Sequence, residues 1–200
     1  MSFFKKLKNM VGSTGVVLDY IYVENPFPFY DPMIKATLRV KAEKDGVTIL
    51  SVTGTFYAKR TVEDKEEELV LGVHHADADN CYNETINGVR QRQLPRTVTA
   101  GGDTSFGLFV KDMEVAKALE AWGVSSPDEA KRKGITFFLK AEVDVKETLD
   151  LFDPSYTEEI SVRDNYEERE KWLIEEREYE EQARKERELE DLLAQEESEE

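Results

Sequence analysis

From Ile135 the chain reads ITFFLKAEVDVKETLD, and its apolar positions fall on every second residue. Phe137, Leu139, Ala141, Val143 and Val145 alternate with Phe138, Lys140, Glu142, Asp144 and Lys146. A period of two sends the first set to one face of a strand and the second to the other. One face is built for a core and the other mostly for water, which predicts a long antiparallel strand in a two-layered β domain. Ile34, Ala36, Leu38, Val40 and Ala42 repeat the pattern opposite Lys35, Thr37, Arg39 and Lys41. Further strands are predicted at Val16 to Val23, Val47 to Lys59, Leu69 to His75 and Phe106 to Val110, with a short closing run from Glu159 to Val162. Gly46 is expected to supply positive φ in the turn after the second strand. Thr61 to Glu68 reads as a charged connection, and Ala76 to Gly88 as a polar loop.

Between Lys111 and Gly134 the period changes. Val115, Leu119 and Trp122 share a helix face that Gly123 ends. Ser126-Pro127-Asp128-Glu129 then combines an N-cap, a proline at the first helical position and acidic first-turn residues. Strands at these spacings predict a mostly β chain, an immunoglobulin-like antiparallel β-sandwich spanning 15–163 with a short helical insertion at 111–134. Residues 164–200 carry no Gly or Pro and are dominated by Glu, Arg, Leu and Lys, which predicts a charged C-terminal helix. Its apolar residues are too widely interrupted by charge for a heptad seam, so a solvated arm is expected, fraying into a disordered polar end at 196–200. Favourable pairs four apart are Glu167 with Lys171, Glu180 with Arg184, and Glu181 with Lys185.

Charge sharpens this division. The net charge is −16, but 164–200 holds 17 acidic and 6 basic residues while 1–163 holds 26 and 21. A near-neutral body with an acidic arm is a poor polyanion binder, because phosphate neutralisation needs clustered Lys and Arg. No nucleic-acid partner is expected. The lone cysteine, Cys81, forms no internal disulfide, and no apolar run is long enough to cross a bilayer. Lys8 and Asn9 interrupt the apolar start, so a secretory signal is not expected and a cytoplasmic setting is.

Residues 1–12 form a basic amphipathic segment with Phe3, Phe4, Leu7 and Met10 at helical spacing. It is expected to close one end of the core. Weak peripheral membrane contact through Phe3, Phe4, Lys5 and Lys6 is the alternative. Pro26, Phe27, Pro28 and Phe29 form an unusually apolar loop, either a plug over the end of the sandwich or a partner-binding tip. Trp172 and Leu173, early in the arm, are a second candidate contact patch. The segment His74-His75-Ala76-Asp77-Ala78-Asp79-Asn80-Cys81 gathers groups suited to a transition metal. Adjacent histidines on a strand point to opposite faces, however, and the calcium-loop Gly and distal Glu are missing. A metal-dependent enzyme or metal-binding protein using this segment is the alternative reading. Gly101-Gly102 lacks the lysine and following helix of a phosphate loop. No catalytic group, cofactor site or metal site is predicted, and the pattern specifies no oligomeric state.

The opening MSFFKKL, the strand FFLKAEVDVKETLD with the following DPSYTEEISV, and RTVTAGGDTSFGLFV at 96–110 resemble the arrestin-like sporulation-control proteins of bacteria. In that family an amphipathic N-terminus precedes an arrestin-type β-sandwich. Val143-Asp144-Val145-Lys146 and Leu149-Asp150 match its penultimate strand and turn in kind and order. Three departures stand out. Tyr30-Asp31-Pro32 occupies the place of the usual proline-glycine-glutamate turn, residues 111–134 are an insertion, and one sandwich is expected where the family often has two. The resemblance implies a non-enzymatic regulatory or adaptor protein acting through protein–protein interaction, and it transfers no binding residue.

Overall fold

The computed structural model describes residues 15–43, 46–84, 90–146 and 153–198. Phe3, Phe4, Lys5 and Lys6, like Leu149 and Asp150, lie outside them. The chain divides into two compact units, 1–163 and 164–200.

Alternation becomes burial in the first unit. The predicted long strand is β10 (Thr136–Val145), and its five inward residues are all buried. It lies between β4 (Val47–Val62) and β11 (Ser155–Ile160) in an antiparallel sheet of order β11-β10-β4-β5, where β5 spans Lys65–Ala76. The short β8 (Arg96–Val98) pairs with the start of β4. The second sheet has order β1-β3-β9, formed by Val16–Val23, Ile34–Ala42 and Asp103–Val110. Its inward residues, Leu38, Val40, Phe106 and Leu108 among them, meet Phe56, Leu139 and Val143 of the first in one buried core. The fold is an antiparallel β-sandwich, as the two period-two runs predict.

Two segments are more ordered than the pattern suggested. The charged connection at 61–68 is mostly strand: β4 and β5 continue to a two-residue turn at Glu63 and Asp64, both with positive φ (50° and 64°). Cross-strand ion pairs take the place of apolar alternation there, with Lys59 reaching Glu66 at 3.0 Å and Glu68 at 3.5 Å, and Arg60 reaching Glu67 at 2.6 Å. The closing run begins at Ser155 rather than Glu159, since β11 pairs with β10 from Glu142↔Ser155 to Phe137↔Ile160. Part of the polar loop forms a small hairpin, β6 (Tyr82–Glu84) with β7 (Arg90–Arg92). Gly46 does not adopt the positive φ expected of it.

Between β9 and β10, α1 (Val115–Leu119) runs into a 3-10 turn at Glu120–Trp122, and α2 spans Pro127–Arg132. Ser126 caps α2 as predicted, its hydroxyl accepting the Glu129 amide, while the Glu129 carboxylate accepts from the Ser125 amide and hydroxyl at 2.8 Å each. The second unit is one helix, α3 (Tyr166–Ser198), so helical structure extends into the polar end. Of the expected pairs on α3, Lys185–Glu181 forms at 2.7 Å, whereas Lys171 reaches Glu175 and Arg184 reaches Glu188, both at 3.8 Å. No helix among the described residues is long and apolar enough to cross a membrane.

Candidate interaction surfaces

The aromatic loop is part of the core. Phe27, Pro28 and Phe29 are buried, leaving Pro26 as the exposed member of the four. Phe27 packs edge-on against Phe56 (5.1 Å), and Phe29 against Phe137 (6.3 Å). Phe27–Pro28 forms a two-residue strand, β2, parallel to β12 (Val162–Arg163). The Phe27 amide donates to Ser161 O at 2.8 Å and the Phe29 amide to Arg163 O at 3.0 Å. Asn25 fastens the entry, its carboxamide oxygen accepting from the Ser161 amide and its nitrogen donating to Glu159 O. The loop is therefore a plug, and the partner-binding reading of Phe27, Pro28 and Phe29 is corrected: side chains this deeply packed offer no contact area.

The histidine segment does not converge. His75 lies on the outer face of β5, with Nδ1 2.9 Å from the Thr53 hydroxyl and Nε2 3.4 Å from Asp77. His74 points to the other face of β5 and is half-buried, its ring meeting Phe109 edge-on at 6.3 Å at the sheet margin. Burial holds His74 below its ordinary pKa and the Lys111 ammonium adds to this, while a hydrogen bond with the Phe109 backbone opposes it. Asp77 serves the turn. Its carboxylate accepts the amides of Asp79 (2.8 Å) and Asn80 (3.2 Å), which with His75 hold it below the usual carboxylate range. Burial pushes the Cys81 thiol up, away from the thiolate that metals bind. Among the described residues no group of three or more His, Cys, Asp or Glu side chains is arranged to hold a metal ion. The strand periodicity that divides His74 from His75 removes the geometry the alternative reading required.

Exposed apolar side chains collect elsewhere, at the sheet margins. One seam of the sandwich, between β1 and β11, is closed by Tyr20 and Tyr156 at 5.3 Å, with the Tyr20 hydroxyl donating to Leu139 O. Ile21, in a bulge of β1, and Tyr22 after it are exposed. At the other seam, β5 is the margin of its sheet and β9 the margin of the other. Val70 and Val73 on β5 are 52% and 55% exposed, and Phe109 on β9 is 42% exposed. Phe109 lies over Gly107, where an added Cβ would sit 2.7 Å from the ring. Isolated exposed apolar residues are ordinary; Val70 and Val73, both on a twelve-residue edge strand, make β5 a candidate contact surface, while Phe109 belongs to the outer face of the other sheet. Sequence reasoning missed Val70, Val73 and Phe109 because an apolar residue on a strand reads as core until the sheet order is known. On α3, Trp172 is 46% exposed, with the Arg169 guanidinium 4.3 Å from its ring centre, and Leu173 is half-buried.

No family model and no curated protein matches the chain. Among solved structures it is similar to the crystal structure of Spo0M, sporulation control protein, from Bacillus subtilis, at 12% sequence identity and a TM-score of 0.49. The match covers 76% of this chain and 50% of that one, so the chain spans about half the length of the protein it resembles. At that identity and TM-score the likeness carries over no residue and no role.

Proposed function

We propose that this chain is a non-enzymatic regulatory or adaptor protein of the cytoplasm, of the arrestin-like sporulation-control type, that works by binding another protein. The observation that carries the reading is β5: a twelve-residue strand at the margin of its sheet, with Val70 and Val73 both more than half exposed. An extended partner segment added there gains main-chain hydrogen bonds, and alternate side chains give selectivity. The sequence resemblance to the sporulation-control family favours the same role. Trp172, with Leu173 beside it, is a second candidate contact on the arm.

The test is crosslinking and mass spectrometry on the full chain in its native cell, alongside a Val70→Lys/Val73→Lys variant. Lysines on an exposed edge discourage strand addition without entering the core. The reading expects a defined partner whose crosslinks map to β5 and are lost in the variant while its urea midpoint stays unchanged. A variant that recovers the same partner in the same amount refutes it.

A further inference from the structure

The other sheet carries a surface with its own chemistry. On the outer face of β3 and β9, Pro32, Met33, Lys35, Phe109, Lys111 and Asp112 line an open groove of about 520 Å³. Its floor is apolar. Lys35 stands directly across from Phe109 in the β3–β9 pairing, and Lys111 follows just past the end of β9. Both lysines are exposed, and among the described residues neither takes part in an ion pair. The Glu24 carboxylate is the acceptor for the Lys35 backbone amide at 3.4 Å and forms no ion pair with its ammonium. Lys59, Arg60, Lys117 and Lys140, by contrast, sit against carboxylates. Two ammonium groups thus flank an exposed aromatic ring, against the single Asp112 carboxylate in the lining, and their charge complements an acidic ligand.

We propose that this groove docks an acidic peptide segment of another protein, one apolar side chain lying on Phe109 between Met33 and Pro32 and flanking Asp or Glu carboxylates reaching Lys35 and Lys111. Asp112, on the rim, opposes that charge and limits affinity. Its φ of 57° is one that Asn adopts readily, so the carboxylate can be removed without straining the backbone. This surface lies on the sheet that β5 does not belong to, so it stands or falls separately from edge-strand binding.

Phage-displayed random peptides selected on the immobilised full chain test the proposal, followed by fluorescence titration of the synthetic winners. The winners are expected to share an apolar residue flanked by Asp or Glu. The Lys35→Glu/Lys111→Glu variant should bind them about tenfold more weakly or worse. Asp112→Asn should bind them about two- to fivefold more tightly, the scale of one exposed charge interaction. Added salt should weaken binding by the parent and by Asp112→Asn, and should not weaken what remains in the charge-reversed variant, where it screens a repulsion. The proposal is overturned by an empty selection, by winners without acidic flanks, or by affinities that ignore the charge reversal. It is equally overturned if light scattering shows that the groove is occupied by a second copy, as a dimer that the charge reversal dissociates. Loss of binding in Val70→Lys/Val73→Lys but not in Lys35→Glu/Lys111→Glu would leave edge-strand recognition standing and sink the groove.

Discussion

Replacing Gly72 with alanine probes how the open seam of the sandwich is closed. Gly72 lies on β5, and a Cβ built there would fall 2.6 Å from a Val110 methyl carbon and 2.9 Å from Met113 Cγ. Two effects compete. Alanine restricts the unfolded chain and suits a strand better than glycine, a gain of about 0.5–1 kcal/mol. Overpacking a filled core costs about 1–3 kcal/mol. Met113 is unbranched and can move aside, but Val110 is fully buried and stiff about its first side-chain torsion. The clash therefore wins, by about 1 kcal/mol, or about 2–4 °C in Tm for a chain of this size. Urea unfolding followed by Trp122 fluorescence in a Trp172→Phe background confines the readout to the sandwich. In a Val110→Ala background the methyl is gone, and the cost of Gly72→Ala should vanish or reverse, giving a coupling of about 0.5–3 kcal/mol. A Gly72→Ala protein as stable as the parent, or one with the same loss in both backgrounds, would show that the seam is not packed this way.

Other expectations follow from single contacts. Leu139→Ala, at the centre of the core, should cost about 2–5 kcal/mol in the same urea assay. Tyr20→Phe keeps the ring against Tyr156 but loses the hydroxyl bond to Leu139 O, and should cost about 0.5–1.5 kcal/mol, read as a lower urea midpoint. His74 is held below its ordinary pKa of 6.5 when folded, so the unfolded chain takes up its proton first as pH falls. Stability is then fully present above pH 6.5 and declines below it, through the folded pKa. Midpoints measured across that window should flatten in His74→Gln, and NMR titration of Lys111→Met should show the His74 pKa raised. Ser126→Ala removes the cap of α2; because that bond is 3.4 Å long, a loss at the low end of the usual range, about 0.5 kcal/mol, is expected by thermal melting.

How much of this was legible in the sequence depended on what kind of side chain carried the pattern. In β10 and β3 the inward residues are apolar and nearly every outward residue is polar, so period two reads directly as burial. The β4–β5 hairpin beyond Lys59 has the same geometry with charges on both faces, and its pairing rests on Lys59, Arg60 and three glutamates meeting across strands. Charge in a single strand carries no sign that its partner is adjacent. The aromatic loop was legible as a plug because a dense apolar cluster has few other stable places, although the pairing of β2 with β12 depends on residues more than 130 positions apart. The exposed seam was the least legible. Val70 and Val73 look like any core valines, and only the sheet order reveals that nothing follows β5 within its sheet.

The crosslinked ribbon of the β4–β5 hairpin also sets how long a guest the margin can hold. Glu66, Glu67 and Glu68 crowd one half of β5, and that half presents carboxylates to anything approaching alongside. The welcoming stretch is Val70 to Ala76, about 23 Å at strand spacing. On the proposed edge-strand reading, a recognition motif for this margin is a short one of about seven residues, and a guest long enough to overrun it brings lysine or arginine at the end that meets the glutamates.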